Sequence, residues 1–115
     1  TYTNPVFDAD FPDPTVIRAA DGFYYAYATQ TDAPRAGGGV DSLNIQVLRS
    51  ADLVRWTRAG DALPVKPRWA SRTRDFWAPH VSEHAGRYYL YYSAKPDTAL
   101  RDTTQGLCLA VATSV

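Results

Sequence analysis

The sequence predicts an all-β protein built from repeated sheet units of the β-propeller kind. No apolar pattern with a 3.6-residue period is sustained, so helices are not expected. Short β-branched and aromatic segments alternate instead with turns rich in Gly, Pro and Asp. These segments also recur along the chain with a spacing of 64 residues. A repeat of three or four antiparallel strands with this period is typical of propeller blades.

The first unit, at about residues 13–60, is predicted to contain four strands. Asp21-Gly22 is a hairpin dipeptide between the first two of them. Residues 30–42 contain a proline and three consecutive glycines, which predicts a flexible loop. The four predicted strands lie at residues 15–18, 23–29, 44–50 and 56–59.

The second unit, at about residues 76–115, repeats the pattern but stops early. A loop at 60–75 precedes it, and Ala85-Gly86 forms its hairpin turn. The fourth strand of this unit would fall beyond the last residue. The three predicted strands lie at residues 76–81, 87–93 and 107–114.

The repeat can be followed residue by residue. A shift of 64 places Gly22 on Gly86 and Ile17 on Val81. Two unrelated meanders of similar composition are the alternative, but a register without gaps over three strand pairs favours a repeat. A propeller closes with about four or more blades, so two units would leave a sheet edge unpaired. The chain is therefore expected to be a fragment or one piece of a larger assembly.

Charge and composition exclude several classes of partner. The 12 basic and 12 acidic residues give no net charge, so binding to nucleic acid or to a membrane surface is not expected. No apolar run is long enough to span a bilayer. Cys108 is the only cysteine, which excludes an internal disulfide, and its apolar surroundings predict a thiol packed in the core. No metal site is predicted.

The stretch Asp8–Ile17 holds the strongest candidate for a catalytic group. Asp13 lies between two prolines and directly before the first strand, so its backbone is expected to be stiff and extended. A carboxylate held at a strand end suits catalysis, although an ordinary turn is the alternative. Asp8 and Asp10 are expected to be turn or solvated residues, with Asp10 able to shape the rim of a site.

The order and spacing of two blocks resemble glycoside hydrolase family 43. One block is Asn4–Phe7 followed by Asp10–Ile17 and Gly22–Tyr25; the other is Trp77–Val81 followed by Gly86–Ser93. The resemblance implies a five-bladed β-propeller, of which residues 1–115 would form the first two blades, the second incomplete. This family contains arabinanases, arabinofuranosidases and β-xylosidases that invert the anomeric centre.

The resemblance also implies roles for individual residues. Asp13 matches the general base that activates water. Trp77 falls on Asp13 under the 64-residue shift and matches a tryptophan that lines the subsite of the cleaved sugar, with an inter-blade core residue as the alternative. Phe76 and Asp75 precede it and are expected to line the same pocket. His80 replaces a carboxylate often found there and is expected to be a core residue or a subsite contact, not a metal ligand.

The function implied is inverting hydrolysis of arabinose- or xylose-containing plant polysaccharides. The family also needs a second Asp and a Glu acid, whereas the only Glu here, Glu83, precedes a hairpin turn. These residues by themselves are therefore expected to be inactive. The alternatives are a non-catalytic carbohydrate-binding propeller and a retaining fructan-type hydrolase, although the Asn-Asp-Pro-Asn opening of the latter group is missing.

The expected partners are the carbohydrate substrate and the remaining blades, in the same or another polypeptide. This segment requires no cofactor, and a structural metal in the full propeller is left open. A polysaccharide substrate favours secretion, with a cytoplasmic location as the alternative.

Overall fold

A computed structural model describes residues 1–114 as two antiparallel sheets and one short hairpin. Val115, where the second unit was predicted to end, lies outside the described residues. Two single-turn 3₁₀ helices lie at Arg68–Ala70 and Asp97–Leu100. The strands are β1 Thr15–Arg18, β2 Tyr24–Ala28, β3 Thr31–Pro34, β4 Val40–Leu43, β5 Gln46–Ser50, β6 Thr57–Asp61, β7 Phe76–His84, β8 Arg87–Ala94 and β9 Cys108–Ser114.

The two sheets confirm the predicted meanders. The first has the order β1-β2-β5-β6 and the second the order β7-β8-β9, and all of their neighbouring strands are antiparallel. All seven strands predicted from the sequence are present within a few residues of their expected positions. The all-β prediction is therefore confirmed. No helix within residues 1–114 combines the length and the apolar character needed to cross a bilayer.

The predicted loop at 30–42 is wrong, because β3 and β4 form a two-stranded hairpin there. Its turn is closed by a hydrogen bond from the Arg35 N–H to the Gly39 carbonyl, 3.0 Å long. The glycines at 37–39 all have positive φ, which suits a tight turn between strands. Both strands are short, half of their residues are polar, and no apolar alternation marked them in the sequence.

The strand registers correct the gap-free repeat. The pairs Tyr24↔Ser50 and Tyr88↔Ser114 fit the shift of 64. The inner strands do not, since Ile17 faces Tyr25 whereas Val81 faces Leu90. Strand β7 is therefore offset by 65 residues from β1, and the connection from β7 to β8 is one residue shorter than that from β1 to β2.

The hydrophobic core lies where the two sheets pack against each other. Ile17 and Tyr27 of the first sheet pack against a cluster of buried residues that comes mostly from the second sheet. Ile17 packs against the core cluster that contains Val81, and the two residues are not repeat equivalents; the 65-residue offset makes Val16 the equivalent of Val81. Cys108 lies outside this core as a partly exposed free thiol, so that expectation was wrong. The core members are Ile45, Ala70, Phe76, Val81, Leu90, Tyr92 and Ala94.

The faces turned away from this core are open. Val16 is half exposed on the first sheet, and Leu109 and Val111 expose 77% and 52% of their surface on the second. Exposed aliphatic side chains on regular strands indicate that neither sheet is covered on both faces in this structure.

Candidate active site

Asp13 has a left-handed backbone, with φ of 53°, and not the extended geometry expected from its flanking prolines. Ala78 has the same conformation, with φ of 48°, and is also followed by a proline. The segments 11–14 and 76–79 thus share a kink at the entry to β1 and β7. Asp tolerates this conformation better than most residues, and such backbone strain is concentrated at functional sites.

This shared kink changes the predicted correspondence between the two units. With the offset of 65 residues, Asp13 corresponds to Ala78, and Trp77 corresponds to Pro12. The expectation that Trp77 stands directly on Asp13 was therefore wrong by one residue. The turn glycines give no sign of the extra residue, because Gly22 and Gly86 are still 64 positions apart.

A single threonine ties Asp13 to the second sheet. The Thr29 hydroxyl donates to Asp13 Oδ2 over 3.1 Å, and the Ala78 N–H donates to Thr29 Oγ1 over 2.9 Å. Thr29 follows β2 and is only 9% exposed, whereas the Asp13 side chain is exposed. The neighbouring Gln30 N–H donates to the Phe76 carbonyl, 3.0 Å away. The entry of β7 is thereby fixed against the end of β2.

Trp77 lies beside this hydrogen-bonded group, directly before Ala78. Its side chain is 41% exposed, so part of the indole is available to a ligand. The path from Asp13 through Thr29 to the Ala78 peptide contains two hydrogen bonds. The structure therefore brings Asp13 and Trp77 to the same end of two neighbouring inner strands, as the sequence predicted.

Phe76 does not join this exposed group. Its side chain is completely buried and packs near Tyr92, with a distance of 6.1 Å between ring centroids. Successive side chains on a strand point to opposite faces, so Phe76 enters the core while Trp77 faces out. A fully buried ring has no face to offer a sugar, which corrects its assignment to the pocket.

Asp75 lies between a loop and β7 and is partly buried. Its N–H donates to Thr73 Oγ1 over 2.9 Å, and its carbonyl accepts from the Lys95 N–H over 3.2 Å. Its carboxylate has no hydrogen bond or ion pair to any other residue in 1–114. This carboxylate remains available to a polar ligand near Trp77.

The β3–β4 hairpin flanks the same end of the first sheet, because it joins the end of β2 to the start of β5. Thr31 donates through its hydroxyl to Asp10 Oδ2 over 3.1 Å, which supports a rim position for Asp10. On the far side of the hairpin, the Arg74 guanidinium pairs with Asp32. The hydrogen bond from Arg74 lowers the pKa of Asp32, with a further contribution from the Ser42 hydroxyl.

The remaining candidates have structural partners. His80 is exposed, and its Nδ1 lies 3.4 Å from Thr15 Oγ1. Glu83 accepts a hydrogen bond from the Gly86 N–H over 2.7 Å, which confirms its predicted place in the hairpin turn. Across residues 1–114, no three His, Cys, Asp or Glu side chains are grouped so that they could hold a metal ion.

Sequence reasoning missed the buried polar group behind Thr29. Gln46 is completely buried and donates through Nε2 to the Thr29 carbonyl over 2.8 Å. Its Oε1 accepts from an Arg58 Nη atom over 3.1 Å. A polar residue at a buried position of β5 was the available signal, since such residues are buried only with hydrogen-bond partners.

Comparison with models of known protein families identifies the family of this chain. The model described as glycosyl hydrolases family 43 matches residues 2–115. The chain belongs to glycosyl hydrolase family 43. The resemblance of its two sequence blocks to this family is thereby confirmed.

The relatives of the family 43 chain include proteins named as an arabinanase and as an arabinofuranosidase. It is 32% identical over 97 residues to an extracellular endo-α-(1→5)-L-arabinanase of Thermotoga petrophila, and the match spans 71% of the chain and 17% of the relative. It is 33% identical to an extracellular exo-α-(1→5)-L-arabinofuranosidase of Cellvibrio japonicus, over 73% of the chain and 22% of the relative. The chain thus spans about a fifth of the length of these relatives.

Solved structures show the same fold. The native arabinanase of Bacillus subtilis aligns with a TM-score of 0.66 and 25% identity, covering 93% of this chain and 34% of that one. An exo-1,5-α-L-arabinanase from a bovine ruminal metagenomic library gives 0.66 and 26%, covering 98% and 33%. The family 43 chain therefore has the fold of part of a five-bladed β-propeller. Its two sheets are blades, and their outer faces are open.

Proposed function

We propose that the polypeptide carrying this chain is an inverting glycoside hydrolase that cleaves arabinose- or xylose-containing plant polysaccharides, with Asp13 as general base. The observation that carries the proposal is the exposed Asp13 carboxylate held beside Trp77 in a family 43 chain. The relatives named as arabinanases, an arabinofuranosidase and β-xylosidases support the substrate class.

The geometry of Asp13 suits the activation of water. Its Oδ2 accepts from Thr29, while Oδ1 has no partner among residues 1–114. One oxygen is thus fixed and the other is free to accept a proton from a water molecule. In an inverting enzyme this water attacks from the face opposite the leaving group, and the two carboxyl groups stand about 6.5–9.5 Å apart.

Trp77 is proposed as the platform for the sugar ring. An indole face packs favourably against the apolar C–H face of a pentose. The free carboxylate of Asp75 is proposed to accept hydrogen bonds from sugar hydroxyl groups nearby. Phe76 has no part in binding, since it belongs to the core.

The catalytic acid is proposed to come from outside residues 1–115. The only glutamate, Glu83, serves the hairpin turn at the opposite end of β7 from Trp77. The segment by itself is therefore expected to have no hydrolase activity. We also propose an extracellular location, by analogy with the relatives whose names describe them as extracellular.

Asp13→Ala in the complete enzyme tests the proposal. Turnover of arabinan and of aryl arabinofuranosides and xylosides should fall by about 10²–10⁴-fold or more, because general-base catalysis contributes about this much. Sugar binding, measured by calorimetry, should be retained. Asp8→Ala is the matched control, since Asp8 is exposed and its carboxylate has no partner in the described residues; its activity should stay within about twofold of wild type.

Three results would contradict the proposal. Near-wild-type turnover by Asp13→Ala would remove the base. Carbohydrate binding without any turnover by the wild type would favour a non-catalytic binding propeller. Retention of configuration in the product, seen by NMR, would favour the fructan-type mechanism.

A further inference from the structure

We propose that Thr29 is a positioning residue for the general base, holding Asp13 in register with Trp77 across the two blades. The inference rests on the proposed role of Asp13 and adds a residue that does not itself touch the substrate. Its basis is the two-sided hydrogen bonding of one buried hydroxyl, between Asp13 Oδ2 at 3.1 Å and the Ala78 N–H at 2.9 Å.

The direction of these hydrogen bonds is fixed by chemistry. A backbone N–H can only donate, so Thr29 Oγ1 is the acceptor towards Ala78. The single hydroxyl proton of Thr29 is then directed to the Asp13 carboxylate, which can only accept when ionised. A hydrogen bond to an ionised carboxylate is stronger than one between neutral groups. Asp13 Oδ2 is therefore held by a donor whose orientation is set from the second blade.

Thr29 is itself immobilised on every side. Its N–H donates to the Pro12 carbonyl over 3.2 Å, and its carbonyl accepts from Gln46 Nε2 over 2.8 Å. Its β-branched side chain has few χ1 rotamers, and only 9% of the residue is exposed. The position of the Thr29 hydroxyl is thus determined by the fold, and its hydrogen bond fixes the position of the Asp13 carboxylate.

The coupling matters because the two catalytic elements come from different blades. Asp13 precedes β1, whereas Trp77 precedes Ala78 in β7. The Thr29 hydroxyl forms a hydrogen bond to each of these two segments, with Asp13 on one side and Ala78 on the other. A displacement of about 1 Å between a catalytic group and its substrate can reduce the rate by about 10²-fold.

The test compares Thr29→Val with Thr29→Ser in the complete enzyme. Val keeps the shape of Thr without the hydroxyl, and Ser keeps the hydroxyl. We expect Thr29→Val to lower kcat by about 10–100-fold while KM for an arabino-oligosaccharide stays within about threefold. Thr29→Ser should recover kcat to within about threefold of wild type.

A merely structural role gives a different result. Thr29→Val would then lower the melting temperature, while kcat per folded molecule, corrected by circular dichroism, would equal that of wild type. That outcome overturns the inference. If Thr29→Val does not fold, Thr29→Ala takes its place, because Ala has no hydrogen-bond donor in its side chain; an unchanged kcat in Thr29→Ala overturns the inference equally.

The double variant separates this inference from the proposed function. In an Asp13→Ala background, Thr29→Val should cause no further loss of kcat, because the group that it positions is gone. Loss of turnover in Asp13→Ala together with a normal kcat in Thr29→Val rejects only the positioning role. Normal turnover in Asp13→Ala rejects the base itself, and the positioning role with it.

Discussion

Phe76→Ala should destabilise the junction of the two blades and leave the affinity of the folded enzyme for sugar unchanged. The Phe76 ring is completely buried, near Tyr92 at 6.1 Å and with Lys66 Nζ 5.9 Å from its centroid. A buried aromatic side chain removes about 150–250 Å² from water, worth about 4–6 kcal/mol at about 25 cal/mol per Å². Allowing for the area that Ala still buries, the free energy of unfolding should fall by about 3–5 kcal/mol.

Thermal and urea unfolding measure this loss directly. The chain covers about a third of the solved relatives, and one kcal/mol corresponds to about 2 °C in a domain of that larger size, so the midpoint of the complete enzyme should fall by about 6–10 °C. Phe76→Leu should lose much less, because it keeps most of the apolar volume. Tyr2→Ala is the aromatic control, since Tyr2 is 67% exposed, and it should change stability by less than about 0.5 kcal/mol. An unchanged midpoint in Phe76→Ala with weakened sugar binding would return Phe76 to the pocket.

Two further predictions concern acidic side chains that organise loops. The hydrogen bond from the Ser71 hydroxyl, followed by that from the Arg72 N–H, lowers the pKa of Asp97 below its ordinary value of 3.8. The ionised Asp97 therefore contributes fully to stability above pH 3.8, and this contribution is lost as the pH falls through the lower pKa of the folded state. Asp97→Asn should therefore flatten the acid limb of stability between about pH 5 and pH 2, and an unchanged limb would contradict this reasoning. Asp61→Ala should lower the free energy of unfolding in urea by about 2–4 kcal/mol, because backbone donors lose a charged acceptor; an unchanged urea midpoint would contradict it. The donors to Asp61 are the N–H groups of Asn44, Ile45 and Leu63.

The strands of both blades could be predicted because they combine β-branched or aromatic residues with turn glycines. Gly22 and Gly86 have φ of 86° and 78°, a conformation that favours glycine, and the glycines marked these turns in the sequence. The β3–β4 hairpin could not be predicted in this way. Its strands are held by backbone pairing and by the Arg74–Asp32 ion pair, which joins residues 42 positions apart. Such a contact depends on the packing of the blades and leaves no local pattern.

The one-residue offset of β7 had a similar origin. The turn glycines and the second and third strands of each unit preserve the shift of 64, so they concealed the change in the inner strand. The positive φ of Ala78 reveals it, and an alanine gives no sequence signal for a left-handed backbone. Phe76 was misplaced because it was expected to line the same pocket as its neighbour Trp77. Adjacent residues on a strand face opposite sides, so Phe76 faces the core.

The corrected offset also explains how the two blades divide the candidate site. At the kink where blade 1 carries the Asp13 carboxylate, blade 2 carries Ala78, whose side chain has no polar group but whose N–H bonds to Thr29. Position 13 thus supplies the proposed base, and the equivalent position 78 supplies the N–H that orients the Thr29 hydroxyl. The residue before each kink differs as well, with Pro12 stiffening blade 1 and Trp77 exposing an indole on blade 2. A repeated backbone with different side chains at two adjacent positions thus places the proposed base next to the proposed sugar platform.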